Sequence, residues 1–102
     1  AILKSFFEII SLFDITCTDD GTTCVGLCKC EKVLFITTRG MDMKTGDPLD
    51  QGSPYLKALS CLWGLGEVIT VAAGNMDYLS PEELVLRIEA AKDEAVEICK
   101  KF

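Results

Sequence analysis

The residues Thr38-Arg39-Gly40-Met41 end a continuous apolar run, Val33-Leu34-Phe35-Ile36, and that juncture is where chemistry is expected. Four apolar residues in a row leave no polar face, which suits a parallel strand covered by helices on both sides. In an open α/β sheet, ligands bind outside the carboxyl ends of the strands, so a strand that stops at Thr-Arg-Gly delivers a loop to a site. Four cysteines raise a second chemistry, because the thiolates of Cys17, Cys24, Cys28 and Cys30 can in principle hold zinc or an iron–sulfur cluster. Their spacings of seven, four and two include no Cys-x-x-Cys knuckle, and the chain has no His. Free thiols and no metal are therefore expected, with a metal site or disulfides as alternatives. The lack of His also removes the usual base for a Ser or Cys nucleophile.

The elements that must position the Thr38–Met41 loop read as one βαβ unit. A strand over 33–37 is followed by a helix over 54–63 and a second apolar strand over 68–73. Ser53 is expected to cap the helix, Pro54 suits its first position, and Gly64 and Gly66 close it. Such crossovers are right-handed. A further helix over 81–101 opens with Ser80-Pro81-Glu82-Glu83, which combines an N-cap, a Pro and a capping-box Glu. Its apolar stripe is Leu84, Ile88, Ala91, Ala95, Ile98 and Phe102, with Glu83–Arg87 and Glu97–Lys101 as i,i+4 pairs. Residues 1–13 read as a helix with almost no polar face, which must be covered by a core or a subunit interface. Ile15 to Thr18 reads as extended and Asp19-Asp20-Gly21 as a turn, so a short strand or a hairpin is expected before Cys24. Cys61 and Cys99 read as small core residues, and Asp42 to Gly52 as an exposed loop that borders a substrate pocket.

Length and composition narrow the class. The chain has 102 residues, 49% hydrophobic and 25% charged, which is the balance of one globular domain. No apolar run approaches the roughly 20 residues of a membrane span. Ten basic against sixteen acidic side chains give a net charge of −6, which argues against a nucleic-acid partner. An α/β chain with unpaired thiols is expected in a reducing cytoplasm.

Gly26-Leu27, Lys32 to Gly40, Pro54-Tyr55-Leu56 and Val68 to Gly74 together resemble the C-terminal half of the FMN-dependent NADH-azoreductase and quinone-reductase family. The resemblance implies a flavodoxin-like, doubly wound parallel sheet with strand order 2-1-3-4-5 and FMN at the switch point. Only the fourth and fifth strands have counterparts here, so residues 1–102 are expected to be the C-terminal half of such a domain, with the phosphate-binding Ser-rich turn of the N-terminal half missing. In the family the loop after the fourth strand reads Ser/Thr-Arg-Gly-Gly and touches the flavin. Thr38, Arg39 and Gly40 match it, and Met41 departs from it.

The activity implied is two-electron transfer from NAD(P)H through FMN to a quinone or azo compound, in a homodimer. Thr38, Arg39, Gly40 and Met41 are the implied cofactor-binding residues. Three of them retain a structural alternative: strand propensity for Thr38, a salt bridge or a solvated loop position for Arg39 and a tight turn for Gly40. The competing function is a non-catalytic truncated paralogue, or an interaction module acting through residues 1–13. A lone strand pair would also present a bare edge at 33–37, which a third strand or a second copy would be expected to cover.

Overall fold

The structure, a computed structural model, describes residues 2–102; Ala1, the first residue of the expected helix, lies outside them. The elements are helix α1 (Ile2–Ile10), strands β1 (Cys17–Asp19), β2 (Cys24–Gly26) and β3 (Lys32–Thr38), helix α2 (Gly52–Trp63), strand β4 (Glu67–Ala73), a 3-10 turn (Met76–Tyr78) and helix α3 (Pro81–Lys100). β1 pairs with β2, and β3 with β4. The β3–β4 pair is parallel, with Glu67 N bonded to Glu31 O at one end and Arg39 N to Ala73 O at the other. The chain divides into two compact units, residues up to 33 with 56–68, and residues 34–55 with 69–102.

In the first unit, Leu56, Leu59 and Trp63 are buried. These are steps of three and four along α2, so they share one face. Phe7 meets Trp63 edge-on at 5.7 Å between ring centres. The indole Nε1 of Trp63 is buried without an acceptor. Contrary to expectation, α1 ends at Ile10 and has no buried residue; Ile2 is 88% exposed. It ends early because the Ser11 hydroxyl donates to Phe7 O at 2.7 Å, and Asp14 takes a left-handed φ of 64° in the turn that follows. A hairpin forms around the expected turn as an antiparallel pair in the register Cys17↔Gly26, Thr18↔Val25 and Asp19↔Cys24, so its second strand begins at Cys24 rather than ending before it. The Asp20 carboxylate closes its turn by accepting from the amides of Thr22 and Thr23, bonds that hold its pKa below the usual value.

α2 ends as the glycines require. The amides of Gly64 and Leu65 both donate to Ser60 O, at 2.8 and 3.1 Å, with Gly64 at φ 75°. Gly66 has φ 79°, and a Cβ there would overlap the Glu31 carbonyl. Cys61 is exposed rather than in the core, because the buried face of α2 is the one carrying Leu56, Leu59 and Trp63.

In the second unit, Val71, Ala73 and Ala95 are buried. β3 is not covered on both faces as expected. Leu34 and Phe35 are half-buried and Ile36 is 61% exposed, and β4 is its only neighbouring strand among the described residues, so its other edge is unpaired there as well. α3 starts with the full capping box: Ser80 Oγ accepts from Glu83 N at 3.3 Å, and the Glu83 carboxylate accepts from Ser80 N at 2.8 Å. Those bonds, with a smaller contribution from Arg87, lower the Glu83 pKa. Along the expected stripe Ala95 is buried and Leu84, Ala91 and Ile98 are half-buried, while Ile88 and Phe102 are exposed. Glu97 pairs with Lys100 rather than Lys101, because Lys101 lies beyond the last helical residue at φ −107°. Cys99 is one residue, about 100° around the helix, past the stripe position Ile98, and is exposed. No helix among the described residues is long and apolar enough to cross a membrane.

Replacing Ser80 by Ala leaves an amide of the first turn of α3 without its cap, and is expected to lower stability by about 1 kcal/mol. A urea unfolding midpoint unchanged from wild type would contradict that role.

Candidate functional site

The carboxyl ends of β3 and β4 carry two loops of the second unit, and backbone bonds tie them together. Arg39 O accepts from Met76 N, Gly40 O from Asp77 N and Met41 O from Asn75 N, each at 3.0 Å. Asn75 reaches this position with a left-handed φ of 61°. The Asp77 carboxylate occupies the position that a Cβ on Gly40 would take.

Arg39 does not project outward. It is 7% exposed, and its guanidinium donates to Met43 O at 3.1 Å, Thr45 Oγ1 at 3.2 Å, Asp50 Oδ2 at 3.2 Å and Ser53 Oγ at 3.4 Å. Asp50, 4% exposed, also accepts from Gly46 N at 3.1 Å and Ser53 N at 3.2 Å. Burial raises the Asp50 pKa, but the amides of Gly46 and Ser53, the Ser53 hydroxyl and the Arg39 charge outweigh it, and the net shift is downward. The salt bridge expected as a structural alternative for Arg39 is formed, with Asp50 as its partner.

Ser53 is correspondingly not the cap of α2. The helix already begins at Gly52, and the Asp50 carboxylate takes the Ser53 amide. The Ser53 hydroxyl instead lies 3.4 Å from both Arg39 and Thr70 Oγ1. An ionised carboxylate is the stronger acceptor, so it displaces the hydroxyl from that role. The signal was present in the sequence, since Asp50 stands three residues before Ser53. Asp77 had no such signal, because its place beside Gly40 depends on which strands pair.

What remains outward at the end of β3 is the exposed side chain of Thr38, the 49% exposed side chain of Met41, and peptide donors. The amides of Gly40 and Met41 donate to no acceptor among the described residues. Such a pair of free N–H groups on a fixed loop can hold an electron-rich edge of a ligand.

The thiols are arranged differently. Cys17 and Cys24 are diagonal neighbours on the hairpin, and the Cys30 thiol contacts Lys32 O at 2.9 Å. Desolvation and then Cys17 and Asp19 push the Cys24 thiol above its ordinary value. The described residues contain no group of three or more His, Cys, Asp or Glu placed to hold a metal ion.

A parallel strand pair joined through a helix, with a ligand-type loop at its carboxyl end, defines part of an α/β protein. Over its full length the chain matches the C-terminal half of proteins named FMN-dependent NADH:quinone oxidoreductase. It is 31% identical to the FMN-dependent NADH:quinone oxidoreductase of Coprothermobacter proteolyticus, over all of this chain and 51% of that protein. It is 29% identical to the protein of that name from Clostridium perfringens, over all of this chain and 50% of the relative. With FMN-dependent NADH:quinone oxidoreductase 2 of Clostridium acetobutylicum, identity is 33% over 95% of this chain and 51% of the relative. The chain thus spans about half the length of the curated relatives it matches. No protein-family model matches it.

Replacing Arg39 by Met strands a buried carboxylate and is expected to cost about 3 kcal/mol of stability. The folded-state pKa of Asp50 is depressed, so its contribution is complete above the ordinary value of 3.8 and is lost as pH falls through the lower folded value. Asp50→Asn should remove that acid-limb loss. Melting curves in which wild type and Asp50→Asn fall off in parallel below pH 4 would contradict it.

Proposed function

We propose that residues 1–102 form the C-terminal half of a flavodoxin-like domain, and that the whole protein is an FMN-dependent oxidoreductase passing two electrons from NAD(P)H to a quinone or azo compound. The observation that carries this is the loop at the end of β3, with the free amides of Gly40 and Met41, in a chain matched end to end by relatives named FMN-dependent NADH:quinone oxidoreductase.

The residues present fit a flavin edge. FMN when bound supplies the two-electron chemistry. The Gly40 and Met41 amides would hold the part of the flavin where negative charge gathers on reduction, and the Thr38 hydroxyl lies at the same strand end. The Met41 side chain, where the family pattern has a second glycine, supplies a polarizable contact for a planar ring. Arg39 acts indirectly: through Asp50 and Met43 O it fixes the loop, so it is a positioning residue and not a flavin ligand.

The exposed apolar residues of α1, Ile2, Leu3, Phe6 and Ile9, favour a homodimer of the whole protein, since aromatic and aliphatic side chains are the stuff of subunit interfaces. The same surface is what an interaction module without flavin would use.

The intact protein should purify with FMN absorbance, lose it when NADH is added without oxygen, and regain it with a quinone. A folded intact protein that takes up no FMN would exclude this function and leave the interaction module.

A further inference from the structure

The geometry points to Asp77 as the residue that sets the electrical environment of the 39–41 loop: a carboxylate held against Gly40, whose negative charge opposes the arrival of electrons on a flavin bound there. This rests on the flavin function proposed above.

Three observations place the charge. The Asp77 amide donates to Gly40 O at 3.0 Å, and the neighbouring Met76 and Asn75 amides are bonded to Arg39 O and Met41 O, so the 3-10 turn is registered against the loop residue by residue. The side chain folds back onto that loop, since the position a Gly40 Cβ would take is filled by the Asp77 carboxylate. No described cation neutralises it: the ion pairs of the described residues are Lys4–Glu8, Arg39–Asp50, Lys92–Glu89 and Lys100–Glu97. The nearest guanidinium in the loop, that of Arg39, is committed to Asp50.

The physical consequence follows from where charge develops. Reduction adds negative charge at the pyrimidine edge of a flavin, which the free amides of Gly40 and Met41 stabilise. The Asp77 carboxylate beside the same residues acts in the opposite sense; because the side chain is exposed, water and salt weaken that repulsion without reversing its sign. The two together hold the midpoint potential of the bound cofactor lower than the amides alone would, which makes the reduced form a stronger donor to a quinone.

The test is a redox titration of the intact FMN-loaded protein. Asp77→Asn keeps the shape that covers Gly40 and removes the charge, so the midpoint potential should rise while the melting temperature stays put. Asp77→Ser removes the charge and most of the side chain, and should shift the potential in the same direction. An unchanged or lowered potential in both variants, with FMN bound, overturns the role of Asp77 and leaves the flavin function standing. A wild-type protein that binds no FMN overturns the flavin function itself, and the role of Asp77 with it.

Discussion

The buried pair between Arg39 and Asp50 is the interaction on which the ligand end of this chain depends. Taking two charges out of water is costly, and attraction between them offsets that cost only when their remaining donors and acceptors are also met. Here they are met by the chain between and beside them: Met43 O and Thr45 for the guanidinium, the Gly46 and Ser53 amides for the carboxylate. The pair thereby dictates the path of residues 42–53, which otherwise carry two Gly, a Pro and little apolar substance. A segment that composition describes as a loose surface loop is wound around an ion pair, and the start of α2 is fixed by the same carboxylate.

Much of the architecture was legible because it rests on local rules. Ser80-Pro81-Glu82-Glu83 states a helix start in side-chain chemistry alone, and α3 begins there. Asp19-Asp20-Gly21 states a turn, and the hairpin forms around it. The apolar run of 68–73 states a strand, and β4 occupies it with one residue more. The location of the candidate site was legible for the same reason, since the end of an apolar strand marks the edge of a sheet.

What could not be read depends on partners distant in sequence. The inward turn of Arg39 follows from a carboxylate eleven residues on, and the contact between Gly40 and Asp77 from a strand pairing across the whole α2 crossover. Ser53 was misassigned because two capping side chains compete within three residues, and the charged one prevails. Covered faces were expected for α1 and β3 from their apolar content, but content records only what a segment would gain by burial. Ile2 and Ile36 remain open to solvent. Cys61 and Cys99 show the same limit, with small apolar residues standing just off the packed face of their helices.

The bonds that join the two loops all run one way. Asn75, Met76 and Asp77 donate, and Met41, Arg39 and Gly40 accept. The carbonyls of the first loop are thus spent on the second, while the amides of Gly40 and Met41 keep theirs unspent. A peptide chain ordinarily offers donors and acceptors in alternation; here the backbone of residues 40 and 41 keeps its donors uncommitted while its carbonyls already have a partner. Opposite senses stand side by side there: unspent amides for a group that brings lone pairs, and the Asp77 carboxylate and Thr38 hydroxyl for one that brings an N–H or O–H.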